Sequence, residues 1–257
     1  MAKLIVNADD YGMHPGINQG ILHAIDHGCV NSVSVVSTMV CETSMQELLS
    51  RNVRIGVHII LVDVPWSTSS YFFKDWSQLF ISMLTKGFPT IKEIEVETTY
   101  QISRMKRYVP RIAHIDSHQH THTHGSIWKL FKQLALENDI VRIRNPHAPS
   151  LRSVPLDIGA IGLYVLSLLN STKGIETIPC IGIPSAGDKG GNLQTIQKQL
   201  AWYQGQDIEL VMHPAVSSKG LIEQFGHWKI SWDNQLTMLC ADTLRRSISL
   251  NGFNLNL

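Results

Sequence analysis

Cysteine is scarce in this chain: four residues in 257, at Cys29, Cys41, Cys180 and Cys240, with no CxxC pair and no repeated spacing. That excludes a disulfide-stapled scaffold and a thiolate zinc ribbon. Each lies in an apolar stretch, so all four are expected to be buried free thiols. An excess of charge of either sign is also missing. The formal net charge is +1 and no basic stripe stands out, so no nucleic-acid partner is expected. Long apolar runs are absent: nothing approaches the stretch of about eighteen residues that spans a bilayer, so no membrane partner is expected either. The first residues, MAKLIVNADD, reach two carboxylates at once and lack the apolar centre of a secretory leader, which points to the cytoplasm. Neither an internal repeat nor a linker-like change of composition is visible, so residues 1–257 are expected to form one unit.

What is present is a large apolar complement. Hydrophobic residues make up 44% and charged residues 17%, with mean hydropathy at zero, enough to build a sizeable core. Short β-branched runs alternate with helical periodicity from end to end, the pattern of an α/β fold whose parallel strands are covered by helices. Seven strands are predicted: Lys3 to Asn7, Ser32 to Met39, Arg54 to Leu61, Arg111 to Ser117, Val141 to Ile143, Ile178 to Ile183 and Asp207 to Met212. Helical spacing fills Gly16 to His27, Lys92 to Arg107, Ile127 to Glu137, Asn192 to Tyr203 and Asn234 to Ser249. At this length the pattern fits a single (β/α) barrel. The segment 62–90 is irregular and aromatic-rich, with Trp66, Tyr71, Phe72, Phe73, Trp76, Phe80 and Phe88. It reads either as a lid or, through the helical spacing of Asp75 to Leu84, as a short extra helix on the barrel rim.

Polar residues collect where these strands end, which is where such barrels place their chemistry. The first strand runs into Asp9 and Asp10. Adjacent carboxylates on an extended chain point in different directions, so one suits a metal ion and the other a proton, unless they only cap the next helix. His58 ends the third strand. In the fourth, His114, Asp116 and His118 share one face by the two-residue period, and the alternation continues through His120 to His122. So many imidazoles and a carboxylate on one edge are costly to bury without a divalent cation, unless the segment is a solvated loop. Imidazole with carboxylate suits zinc, manganese, cobalt or magnesium, and three protein ligands leave positions open for water and substrate. His213 follows the last apolar strand, on the parity of Glu209, and could return a proton to a leaving group or cap the strand end. Arg144, after the fifth strand, would face an oxyanion or a carboxylate.

These segments resemble the YdjC-like carbohydrate deacetylases, which include chitooligosaccharide deacetylases. The likeness rests on Asn7-Ala8-Asp9-Asp10-Tyr11-Gly12, Gly56-Val57-His58, the run from His114 to His122, and Glu209 to Pro214, with a weaker echo in Glu97 and Gln101. It implies a distorted seven-stranded β/α barrel, a divalent metal (magnesium or zinc) on Asp10, His58 and His118, and deacetylation of an N-acetylated sugar with Asp9 as base. The chain departs from the family at Ala215, where glycine is usual, at LVDVPW (61–66), where many members carry threonine and glycine, and in its aromatic rim. Within this scheme His213 is the expected acid and Arg144 a further catalytic candidate, and a homodimer is left open. Two rivals remain at this point: a two-metal phosphoesterase, which His120 and His122 would serve, and a non-catalytic sugar-binding relative.

Overall fold

The structure is a computed structural model, and it describes residues 1–146, 158–182 and 192–255. Its strands are β1 (Ala2–Tyr11), β2 (Ser32–Val35), β3 (Arg54–Ile59), β4 (Ile115–Ser117), β5 (Cys180–Ile181), β6 (Ile208–Met212) and β7 (Phe253–Asn254). The helices are α1 (Pro15–His27), α2 (Glu42–Leu49), α3 (Trp76–Thr85), α4 (Ile91–Tyr108), α5 (Gly125–Glu137), α6 (Ile158–Leu169), α7 (Leu193–Trp202), α8 (Lys219–Phe225), α9 (Trp232–Cys240) and α10 (Asp242–Leu250). Every strand pairing is parallel, in the order β4-β3-β2-β1-β6-β5, with β7 added to the start of β1. β1 is the hub because its run Leu4 to Ala8 is buried on both faces, as a central parallel strand requires. Single bridges from Ile115 to Ile143 and from Arg142 to Glu176 link the β4 edge toward β5. The sheet therefore curls into a distorted (β/α) barrel of parallel strands with helices outside. Among the described residues no helix is long and apolar enough to cross a membrane.

Several predicted elements differ from the observed ones for identifiable reasons. The fifth predicted strand, Val141 to Ile143, makes only those single bridges, its backbone bonding to Ile115 on one side and to Glu176 on the other. The sixth narrows to β5, and Ile183 lies outside the described residues. The second stops at Val35, where Val36 donates its N–H to Tyr11 and the chain turns at Met39. The helix predicted over Asn234 to Ser249 is two helices, broken where Ala241 takes an extended backbone. In segment 62–90 the extra helix forms as α3, while Trp66 and Phe73 are buried in the core. Cys29 and Cys180 are buried thiols as expected, but Cys41 is exposed at the start of α2 and Cys240 is partly so.

Candidate metal centre

Asp9 and Asp10 reach the site through a bulge. β1 pairs with β2 at Ala8 and Val33, then again only at Tyr11 and Val35, so two aspartates stand opposite one residue. Asp10 accommodates the extra residue with φ of 70°, a left-handed backbone that costs on the order of 1 kcal/mol or more in a residue other than glycine. The chain is thus not extended here, and both carboxylates turn into one buried cluster instead of diverging.

Asp10 Oδ1 lies 3.2 Å from His58 Nε2 and 3.0 Å from His118 Nδ1. One atom from each of these three buried residues falls within 4.8 Å of the others, the convergence needed to hold a cation. Each imidazole meets a second carboxylate with its other nitrogen: His58 Nδ1 is 2.8 Å from Asp116 Oδ1, and His118 Nε2 is 3.2 Å from Asp63 Oδ2. Asp9, His58 and Asp116 form a second close group. Its carboxylates, however, already accept from Arg144, which reaches Asp9 at 2.6 and 2.8 Å, Asp116 at 2.7 Å and Glu209 at 2.8 Å. A guanidinium therefore serves that second group. Of the two partners expected for Arg144, the carboxylate is the one it meets.

Charge balance follows from these contacts. Around His58 and His118, the carboxylates of Asp9, Asp10, Asp63, Asp116 and Glu209 outnumber the Arg142 and Arg144 guanidiniums among the described residues, so negative charge is in excess. Protons on the two imidazoles or a divalent cation would offset that excess. Burial pushes the His58 pKa down, but the attraction of Asp116 and the hydrogen bonds to Asp10 and Asp116 outweigh it and raise it to about 10. For His118 burial is likewise outweighed, by the charge and hydrogen bond of Asp10 and the hydrogen bond to Asp63, giving about 9. The Asp10 carboxyl is held well below its usual range, since both histidines outweigh the effect of its burial. The donor set and its charge therefore fit a divalent ion.

The remaining histidines divide. The strand ends at Ser117, and His118 to Thr123 form a 3-10 turn in which Gln119 and His120 have φ of 51° and 53°, so the two-residue alternation stops at His118. His114 sits inside the sheet, its Nε2 2.9 Å from Ser34 Oγ, and burial lowers its pKa well below 6.5. His122 is wrapped by Ser117, the Arg144 carbonyl, Trp128 and Phe131, and burial brings it to about 4. Both are core residues, not part of the cluster around Asp10. His120 Nδ1 is buried without a hydrogen-bond partner among the described residues. His213 Nε2 comes within 3.9 Å of Asp9 Oδ2, and burial lowers its pKa.

The weak echo in α4 proves to be scaffolding. The Gln101 amide pairs with both the N–H and the C=O of Ile60, extending the end of β3, and Glu97 accepts from the backbone and hydroxyl of Thr68. Together they brace the loop that carries Asp63. Sequence reasoning missed Asp63 because it stands alone in an irregular segment with no periodicity to place it. Asp116 was visible on the His-rich strand, but its service to His58 was not.

A family model described as YdjC-like protein matches residues 3–249. A carbohydrate deacetylase of Halalkalibacterium halodurans is 31% identical over 173 residues, covering 62% of this chain and 73% of its own length. A chitooligosaccharide deacetylase of Yersinia enterocolitica is 26% identical over 266 residues, covering 98% of this chain and 96% of its own. Among solved structures, an Enterococcus faecalis V583 protein, provisionally described as a cellobiose-phosphate cleavage protein, matches with a TM-score of 0.75 at 22% identity. That match covers 98% of this chain and 95% of the other, and it is a likeness of fold.

Proposed function

The chain belongs to the YdjC-like protein family, and on that premise we propose that it is a metal-dependent hydrolase that removes N-acetyl groups from an amino sugar or chitooligosaccharide. The observation that carries the proposal is the buried convergence of Asp10, His58 and His118, with Asp9 and His213 beside it. The names of the deacetylase relatives support the reaction class. A magnesium or zinc ion held by these three residues would supply Lewis acidity toward the acetamide carbonyl and toward water.

The other residues then take distinct roles. Asp9 acts as general base: the Arg144 fork and the Asn7 amide, 2.6 Å from its Oδ1, fix its orientation. His213, near the same carboxylate, is the group that returns a proton to the amine as the tetrahedral intermediate collapses. Its lowered pKa leaves it neutral near pH 7, so the proton it gives the amine is the one that Asp9 removes from water and passes to the nearby His213 Nε2, 3.9 Å from Asp9 Oδ2. Arg144 touches Asp9 and acts by positioning it. The second cation of a phosphoesterase finds less support, since Arg144 occupies the second carboxylate group and His122 is enclosed in the core.

The deciding experiment incubates metal-loaded and metal-stripped protein with a panel of N-acetylated mono- and oligosaccharides and measures released acetate. Acetate from the loaded protein only is the expected result. No acetate from any sugar, with metal bound, would overturn the proposal.

A further inference from the structure

The two candidate histidine ligands are supported differently by the backbone. His58 lies in β3, whose ladder with β4 pairs it with Asp116. His118 is the first residue beyond β4, followed at once by two residues in left-handed conformation, so no ladder fixes its ring. A metal-bound imidazole keeps one N–H, and the acceptor of that N–H sets which nitrogen faces the ion and how the ring is turned. For His58 that acceptor is Asp116. For His118 the counterpart is Asp63.

Asp63 is built to hold still. Its φ is 69°, and its backbone N–H donates to the Phe73 carbonyl at 2.8 Å. The carboxylate is 5% exposed and accepts from Gln119 Nε2 at 2.7 Å, Trp228 Nε1 at 2.9 Å and His227 Nε2 at 3.0 Å, besides its contact with His118. The Trp228 ring in turn lies 4.8 Å from the His118 ring. Two segments distant in sequence, 118–119 and 227–228, therefore meet on the Asp63 carboxylate, and the imidazole is clamped between it and Asp10. Asp63 is not part of the group of atoms that converge within 4.8 Å, so it stands behind the ligand.

We propose that Asp63 is the positioning residue for His118, accepting the Nε2 proton so that Nδ1 is presented beside Asp10 to the cation. The proposal rests on the metal-dependent reading of the site, and its test is separable from that reading because it measures metal binding, not deacetylation. The full chain, stripped of metal, is titrated with Co2+ while affinity and the visible absorption spectrum are followed. The variants are Asp63→Asn, Asp63→Ala, His227→Ala and Trp228→Phe, with far-UV circular dichroism to establish folding. Loss of such an outer partner costs roughly 10- to 100-fold in metal affinity. Asp63→Asn, close to isosteric and the variant to use if the alanine protein does not fold, is expected to lose affinity in that range and to shift the Co2+ bands. His227→Ala and Trp228→Phe, which leave the carboxylate in place, are expected to bind within about threefold of wild type. Wild-type affinity and spectrum in Asp63→Asn would overturn the proposal and leave the metal site standing. Equal losses in all the variants would overturn it too, since the carboxylate would then only staple loops together. If the wild-type chain binds no Co2+, the metal reading fails and this proposal fails with it.

Discussion

If two imidazolium protons and one divalent cation are alternative ways of balancing the same buried carboxylates, metal binding must expel protons, and pH is the perturbation that reveals it. With His58 at about 10 and His118 at about 9, metal-stripped protein at pH 7 carries both protons. Each must leave for its nitrogen to take a metal, so about two protons are released per ion. Conditional affinity should then rise about a hundredfold per pH unit below 9, equivalent to about 3 kcal/mol per unit, then about tenfold per unit up to 10. Calorimetric titration with Co2+ at pH 7, in two buffers of different ionisation enthalpy, counts the protons directly. Release of fewer than one proton per ion, or an affinity flat between pH 6 and 8, would refute the charge-balance argument. The same shifts set the stability of the stripped protein. Both folded-state values lie above the ordinary 6.5, so their stabilisation is complete below about 6.5 and is lost as pH rises through 9 and 10. Its Tm should fall across that window, and bound metal should remove the fall.

Asp9→Asn should keep metal and lower turnover by a factor on the order of 100 or more, read from acetate release beside metal content, whereas Asp10→Ala should lose both. The reverse pattern would exchange the two roles. Gly56→Ala would place a methyl group 2.3 Å from the His114 ring, deep in the sheet, and should destabilise the fold by about 1 to 3 kcal/mol in denaturant unfolding. A variant of wild-type stability would show that His114 can move away from Ser34. Glu209→Ala removes the carboxylate shared by Arg142 and Arg144, leaving a buried guanidinium short of a partner, and should cost about 3 to 5 kcal/mol by the same assay.

Much of the fold was legible because its signals are local. Parallel strands buried on both faces read as apolar runs, and polar residues at the ends of such runs stand out, which is how Asp9, Asp10, His58, His118 and His213 were found. The same logic overreached where backbone geometry left the regular period. It carried the strand alternation on to His122, yet the chain leaves β4 at Ser117 and turns through left-handed Gln119 and His120. It treated the aspartate pair as extended, yet a bulge at Asp10 turns both side chains the same way.

What sequence reasoning could not supply is the set of partners. Asp63, Asp116, Glu209 and Arg142 act through contacts between residues 55 to 165 positions apart, and no window along the chain contains both members of such a pair. That division has a physical cause. A ligand must end a strand at the mouth of the barrel, so its place is tied to a local pattern, whereas its supporting carboxylate need only reach one ring nitrogen and can arrive from any loop. Asp116 comes from a neighbouring strand in register, and its parity was visible. Asp63 comes from a loop held by Gln101 and Glu97 of α4, whose own roles become clear only when β3 and α4 are seen side by side. The excess of negative charge around the two histidines is likewise visible only through the partners, since Arg144 reaches three of the carboxylates from a distant part of the chain.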